Sequence, residues 1–452
     1  MKKSLVACFA LVFMLVLVGC QSGPVQGEDA ADKTGTDKVN EAAEPVESED
    51  NLLDEPVTLT LWNKAMGIIN DEVSAEMFAP VHEKYPNVTI EILEDVNIED
   101  MMAAGKVPDL IATSNYYLLE HIDMGLAGNM AEFFETHGIA LSQFNPAIVE
   151  NLSTFAEMQG VPGAIYGMPV SMNQGVLAYN KDIFDQLGVP YPEQGMTWKE
   201  IIDLSRQVTG NFGGTDYIGF SPGSIQTMTR PQGLAVVDDD ENVIINTPEY
   251  KAAFELLDEL YKIPGVVNGE EYNYNMNFFM EERRLAMIPY WFAAFTSRIP
   301  IMEETGLNWG LTSFPTTPDN PNLGREVDYH LFVVPEMAKN REAALKVVSE
   351  LITEEAQSYL GKEVLRLTVL DNEDVRNSYA EGSGLYEQEQ LDQVFSVEPA
   401  PTPRPTMYDR DVYSILGEAH RKLAVEKQDI NTVLREAEEE ANNKVQELKN
   451  NQ

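Results

Sequence analysis

The sequence predicts an α/β protein folded as two lobes, and three observations carry that prediction. Strand and helix signals alternate from residue 56 to the end, the pattern of βαβ units. That span holds 397 residues, more than one hydrophobic core usually organises. Between Gly163 and Lys181 a stretch punctuated by Gly167, Pro169 and Gly175 reads as two short strands with a small-residue joint at Ser171–Gln174. Pro169 excludes a helix interior, so extended chain crossing between lobes is expected there.

Before the lobes come two segments of different character. Lys2 and Lys3 precede an uncharged apolar run, Leu5 to Gly19, too short to span a bilayer comfortably and typical of a secretory signal. It ends in Leu17-Val18-Gly19-Cys20, which matches a bacterial lipobox. That motif implies that residues 1–19 are removed as a signal peptide and that Cys20 is acylated, with palmitate-type chains holding the protein to the cell membrane on its extracellular side. Cys8 leaves with the signal, so the mature chain has no disulfide partner for Cys20 and must be stabilised by its core. Residues 20–55 hold no aromatic residue and are rich in Gly, Ser, Thr, Asp and Glu, the composition of a disordered acidic tether. As a flexible coil it spans on the order of 30 Å.

The lobes open with a βαβ unit. Val57 to Trp62 alternates and is β-branched, residues 71–85 space apolar side chains as a helix does, and Val88 to Leu93 is a strand again. Pro108 to Ala112 gives a further buried strand. In open α/β sheets ligands sit beyond the carboxyl ends of strands, which marks Trp62, Asn63 and Lys64, and then Asn115 and Tyr116. Thr197 with Glu200 forms a capping box opening a helix, and Trp198 reads as a packed helix start. Helices are expected at about 249–262, 275–284 and 340–360, and strands at 285–292 and 328–335. Residues 371–385 carry only weak signals. The four prolines of Glu398 to Pro405 require extended chain, and helices fill 408–450.

These elements resemble a known family. The stretch from Gly163 to Lys181 resembles the G-x-(L/I)-Y-G-(L/M)-P … (A/L)-x-Y-N-K signature of family 1 extracellular solute-binding proteins, the maltose-binding-protein-like, sugar-type substrate-binding lipoproteins of ABC importers. Gly105 to Leu110 is similar to its G-x-x-P-D pattern, Phe278 to Trp291 to its F-x-x-G-x-x-A-M-x-x-x-x-W segment, and Val333 to Ala344 to its V-P-x-x-x-K-N-x-E-A-A step. The opening strand with Trp62 and the Thr197-Trp198 helix start also fit. There are two departures: Glu282-Arg283-Arg284 stand where the family has Gly before A-M, and no G-x-x-P occurs around Leu365 to Asp371.

The resemblance implies a two-lobe periplasmic-binding-protein-like fold with three crossovers, near Ser171–Gln174, Val327–His330 and Arg366–Asp374, and a ligand cleft between the lobes. Lobe 1 would take 56–171 plus 331–368, lobe 2 173–327 plus 375–452. The expected function is capture of a carbohydrate, most simply an oligosaccharide, and delivery to the permease subunits of an ABC transporter by a monomer. Sugars need aromatic faces and fixed hydrogen-bonding groups. Position and chemistry together select Trp62, Asn63, Lys64, Asn115, Tyr116, Asn173, Tyr290, Trp291, Arg404 and Tyr408. For each aromatic, plain core packing is the alternative.

Other chemistries find little support in the sequence. The five histidines lack metal-ligand spacing, so no metal or other cofactor is expected. Asp238 to Asn242 and Asp371 to Asp374 lack the glycine and closing glutamate of a calcium loop and read as surface turns. Neither a phosphate loop nor a G-x-S-x-G elbow occurs. A net charge of −43 repels phosphate backbones, which argues against nucleic acid as a partner. Two alternatives to a non-enzymatic receptor stay open: a surface lipoprotein with glycoside hydrolase activity, needing two carboxylates about 5–9 Å apart across the cleft, and a surface-binding lipoprotein with no transport role.

Overall fold

Two β-sheets, each the centre of one lobe, share three crossovers of the chain. The computed structural model describes residues 52–68 and 70–451. The signal peptide, Cys20 and nearly all of the tether lie outside them. The last tether residues are described, and there the expectation needs correcting: Leu53 is buried in the core, and Asn87 donates to the Asp54 carbonyl at 2.6 Å. An apolar side chain with a core to enter does not stay in solvent, so the folded body begins before residue 56.

In lobe 1, β1 (Val57–Asn63) runs parallel to β2 (Val88–Ile92) on one side and to β3 (Leu110–Ser114) on the other. The sheet is completed by β4 (Met168–Asn173) and, from much later in the chain, β11 (Asp328–Val333), in the order β2-β1-β3-β11-β4. β3 and β4 are buried along their whole length, as strands covered on both faces must be. In lobe 2, β5 (Gly175–Asn180) lies between β8 (Met287–Trp291) and β9 (Trp309–Ser313). A hairpin, β6 (Gly210–Phe212) with β7 (Thr215–Tyr217), and a pair, β10 (Leu323–Glu326) with β12 (Glu398–Ala400), complete the strands.

Where helices fall short of their predicted spans, the cause is local. The helix expected at 71–85 is two, Asp71–Met77 and Ala79–Lys84, because Pro80 has no N–H to continue the ladder. That expected at 340–360 divides into Arg341–Glu350 and Glu354–Lys362, the second capped by the Thr353 hydroxyl. Thr197 and Glu200 form the reciprocal cap, and Trp198 is only 2% exposed, packed on Phe220 and Phe314. Both departures from the family pattern prove to be backbone sites: Arg283 holds φ +54° and Leu365 φ +55°, the left-handed region that glycine occupies without strain.

The first crossover is a single residue: β4 ends at Asn173, β5 starts at Gly175, and Gln174 lies between. A Cβ on Gly175 would fall 2.4 Å from the Arg325 Cβ and 2.8 Å from the Phe314 ring, so only glycine lets the second crossover pack on the first. That second crossover runs from β10 through Val327 into β11. The third follows the bridges of Leu367 to Met172 and Leu370 to Phe144, before the helix Glu373–Asn377.

Candidate ligand-binding cleft

Between the two sheets lies a cavity of about 460 Å3. Lobe 1 supplies its wall through the end of β3 and the helix Asn115–Asp123, with Asn115, Tyr116, Tyr117 and Glu120. Lobe 2 supplies Trp291 at the end of β8 and Arg230, while the second crossover contributes Arg325, Glu326 and Asp328. The segment Thr402 to Arg410 closes the rim, where Pro405 and its neighbouring prolines hold the chain extended.

Of the residues singled out in the sequence, Asn115, Tyr116 and Trp291 line this cavity. Tyr116 is 43% exposed, an aromatic face open to solvent at the wall. The buried Asn115 carboxamide donates to the Val327 carbonyl at 3.2 Å and accepts from the Tyr329 amide at 3.2 Å, so it clamps the crossover from the lobe 1 side. Lys64 reaches the wall indirectly, through an ion pair with Glu120 at 3.3 Å. Asn173 sits one step behind the floor: its Nδ2 donates to Asp328 at 3.2 Å, and its Oδ1 accepts from the amides of Gln174, in the hinge, and Ala293, in lobe 2.

The remaining five residues are not on the cavity wall. Trp62 packs edge-on against the buried His121, centroids 5.8 Å apart, and Asn63 caps the Met66 amide at 3.1 Å, because the chain turns back into its own lobe after β1. Tyr290 precedes Trp291 on the strand, so alternation turns it the other way, against the core. Arg404 pairs with Asp239, and Tyr408 donates to Glu241 at 3.3 Å; both line an adjoining depression of about 490 Å3 on the far side of Leu119 and Pro405 to Met407, which it shares with the cleft. Their carboxylate partners belong to the acidic turn at Asp238 to Asn242, which lies beyond any sequence pattern around residues 404–408.

The sequence reading missed the charged floor. Arg230 Nε meets Glu326 Oε1 at 3.0 Å, with both side chains under a tenth exposed. The Arg325 guanidinium stacks on Trp291, 3.7 Å from the ring centroid, fixing the indole plane and leaving one face for a ligand. Arg325 Nε and Glu326 Oε2 are buried without a hydrogen-bond partner, 3.6 Å from each other. Such atoms at a cavity floor are a donor and an acceptor still to be satisfied. Burial pushes the Asp328 carboxyl up to about 6, against the pull of Asn173 and Arg325, and Asp409 is raised by burial as well. At the mouth, Arg410 Nη2 from lobe 2 meets Glu120 Oε2 from lobe 1 at 3.2 Å. Arg325-Glu326 adjoins the predicted crossover and could have been flagged by that position; Arg230 belongs to no pattern.

Among the described residues no group of three or more His, Cys, Asp or Glu is placed to hold a metal ion, and no helix is long and apolar enough to cross a membrane. Residues 65–358 match the family model of bacterial extracellular solute-binding proteins. A Brucella abortus (strain 2308) protein, whose name says only that it is a binding protein, is 23% identical over 261 residues, 55% of this chain and 59% of its own. The chain thus spans less than two thirds of that relative. The fold matches an ABC substrate-binding protein from Listeria monocytogenes in complex with cycloalternan (TM-score 0.67, 16% identity, 86% of this chain and 99% of that one). It also matches UgpB from Mycobacterium tuberculosis in complex with glycerophosphocholine (TM-score 0.66, 14% identity, 87% and 99%). With its two lobes, three crossovers and intervening cleft, and with well over half its length matched by the family model, the chain belongs to the bacterial extracellular solute-binding proteins.

Proposed function

We propose that this protein captures a neutral carbohydrate in the cleft and delivers it unchanged to the permease of an ABC importer, held at the membrane by lipid on Cys20. The observation that carries the reading is the pairing of aromatic faces with a charge-balanced floor. Tyr116 and one face of Trp291 offer flat apolar surfaces, and the four cations Lys64, Arg230, Arg325 and Arg410 stand against four carboxylates, Glu120, Glu326, Asp328 and Asp409. Planar guanidinium and carboxylate groups suit paired hydroxyls. A phosphodiester such as the one held by the M. tuberculosis neighbour would need a cation not already neutralised, whereas an oligosaccharide such as that held by the Listeria neighbour would not.

One observation favours a second reading. Asp328 near 6 and Glu326, both on the floor, are the kind of carboxylates a glycoside hydrolase separates into acid and base. The two readings part on the fate of the ligand. Incubated with the purified protein, a bound oligosaccharide should be recovered intact by mass spectrometry; turnover abolished in Asp328→Asn would establish the hydrolase instead. For the anchor, Cys20→Ala should release the protein from membranes, and a variant that still partitioned wholly with membranes would remove the lipid from the account.

A further inference from the structure

A second cavity, of about 250 Å3, lies beside the hinge and shares no wall residue with the cleft. One wall is the third crossover, Leu367 to Asn372, and it belongs to lobe 1. The Leu367 carbonyl accepts from Met172 at 2.8 Å, and the Asn145 amide donates to Val369 at 2.9 Å. The opposite wall is Phe395 to Pro399, and it leans on lobe 2, with Phe395 packed 6.2 Å from the Phe292 ring. Gln174, the single residue of the first crossover, lines the cavity as well and donates to the Val397 carbonyl at 3.0 Å.

Arg376 stands in this cavity. Among the described residues every other arginine side chain has an ion pair with a carboxylate or a hydrogen bond to a carboxylate or carbonyl, yet Arg376 has neither an ion pair nor a hydrogen bond, and its Nε is buried with no acceptor. In a chain of net charge −43, an arginine with neither an acidic partner nor a carbonyl acceptor is an unmet demand. Around the same cavity Asp371, Glu373 and Glu398 are exposed carboxylates, and Leu367, Leu370 and Phe395 form an apolar wall.

We infer that this cavity binds a small zwitterion with an aliphatic body, an α-amino acid of the leucine type. Its carboxylate meets Arg376, its ammonium meets the rim carboxylates, and its side chain covers the apolar wall. A simple anion would satisfy Arg376 but face three carboxylates, and a simple cation would leave Arg376 unmet. Because the two walls belong to different lobes, an occupant that fits one hinge angle better than another changes affinity in the cleft, and a cleft ligand changes amino-acid affinity by the same factor. This coupling rests on the receptor reading; the binding does not.

Calorimetric titration of the purified protein, without any sugar, with L-leucine, 4-methylpentanoate and 3-methylbutylamine tests it. Leucine should bind saturably, and the two compounds that lack one charge at least tenfold more weakly. Arg376→Gln should lower leucine affinity tenfold or more with an unchanged thermal midpoint, and Arg376→Lys, which keeps the charge but loses the planar fork, should fall between. Absence of saturable leucine binding, equal binding of all three compounds, or leucine binding that survives Arg376→Gln and is lost in the cleft variant Trp291→Ala would overturn the assignment. A sugar that binds the cleft whatever leucine does would leave the receptor reading intact and remove only the coupling.

Discussion

Trp62 and Trp291 each end, or nearly end, a strand at the mouth between the lobes, and in the sequence they have equal claims to a ligand. The structure separates them. Beyond Trp62 the chain folds back under its own lobe, the indole is met edge-on by His121, and Lys64 lies 5.6 Å over its ring. Beyond Trp291 the chain turns into the helix Phe292–Thr296, and the ring is held from one side only, by Arg325. A strand end is therefore a place where a ligand could be, and the neighbours that cover or leave a face decide whether one fits. The two ends differ in charge as well: a neutral histidine seals the first, and a buried ion network floors the second.

Breaking that network should have the largest effect. Glu326→Ala leaves Arg230 buried without its partner and should lower stability by about 3–5 kcal/mol, read by chemical denaturation; a loss below about 1 kcal/mol would mean the pair is solvated. The tryptophans should then divide. Trp291→Ala should weaken ligand binding by about 1–3 kcal/mol, as removal of a central aromatic contact does, with little effect on stability. Trp62→Ala should do the reverse, with a stability loss of about 2–3 kcal/mol and affinity within about twofold. Equal losses of affinity in both variants would erase the distinction between the two ends.

Acid should separate them further. His121 is lowered by burial to about 4, so its contribution is present above pH 6.5 and is lost as pH falls towards 4. Asp328 is raised to about 6, so its contribution is present below about pH 4 and is lost as pH rises through 6. The two oppose each other across the same window. Asp328→Asn removes the opposing member and should steepen the loss of thermal stability from pH 6 to 4 by at most about 2 kcal/mol, reduced by the solvent that still reaches this carboxyl. An unchanged pH profile would place Asp328 in contact with bulk water. The smallest effect is on the backbone: Arg283→Gly relieves a left-handed φ and should stabilise by about 1 kcal/mol or less in a melting experiment.

What could be read in the sequence is what repeats along the chain. β1, β2, β4, β5 and β11 follow from β-branched alternation and punctuation, and the capping box at Thr197 from three residues; the joint expected at Ser171–Gln174 shrinks to Gln174 alone, because Ser171 to Asn173 continue β4 in register with β11. The cleft was legible only where position along a strand coincides with chemistry, as at Asn115, Tyr116 and Trp291. Arg230, Glu326 and Asp409 come from three distant segments, and their pairing is a product of topology that no local spacing encodes. Arg404 and Tyr408 show the reverse case: suitable residue types near the rim, engaged by Asp239 and Glu241 from a turn over 160 residues earlier.

The central claim, that a charge-balanced floor beside one open indole face selects a neutral sugar, is tested most directly by thermal shift. The purified protein would be screened against neutral mono- and oligosaccharides together with their uronic acid and phosphorylated counterparts and glycerophosphocholine, since a solute that binds only the native state raises the melting midpoint. The account predicts that neutral saccharides raise the midpoint in the wild type, that the rise vanishes in Trp291→Ala, and that the charged counterparts have less effect. A midpoint raised only by glycerophosphocholine or by the charged sugars, or raised equally in Trp291→Ala, would contradict it.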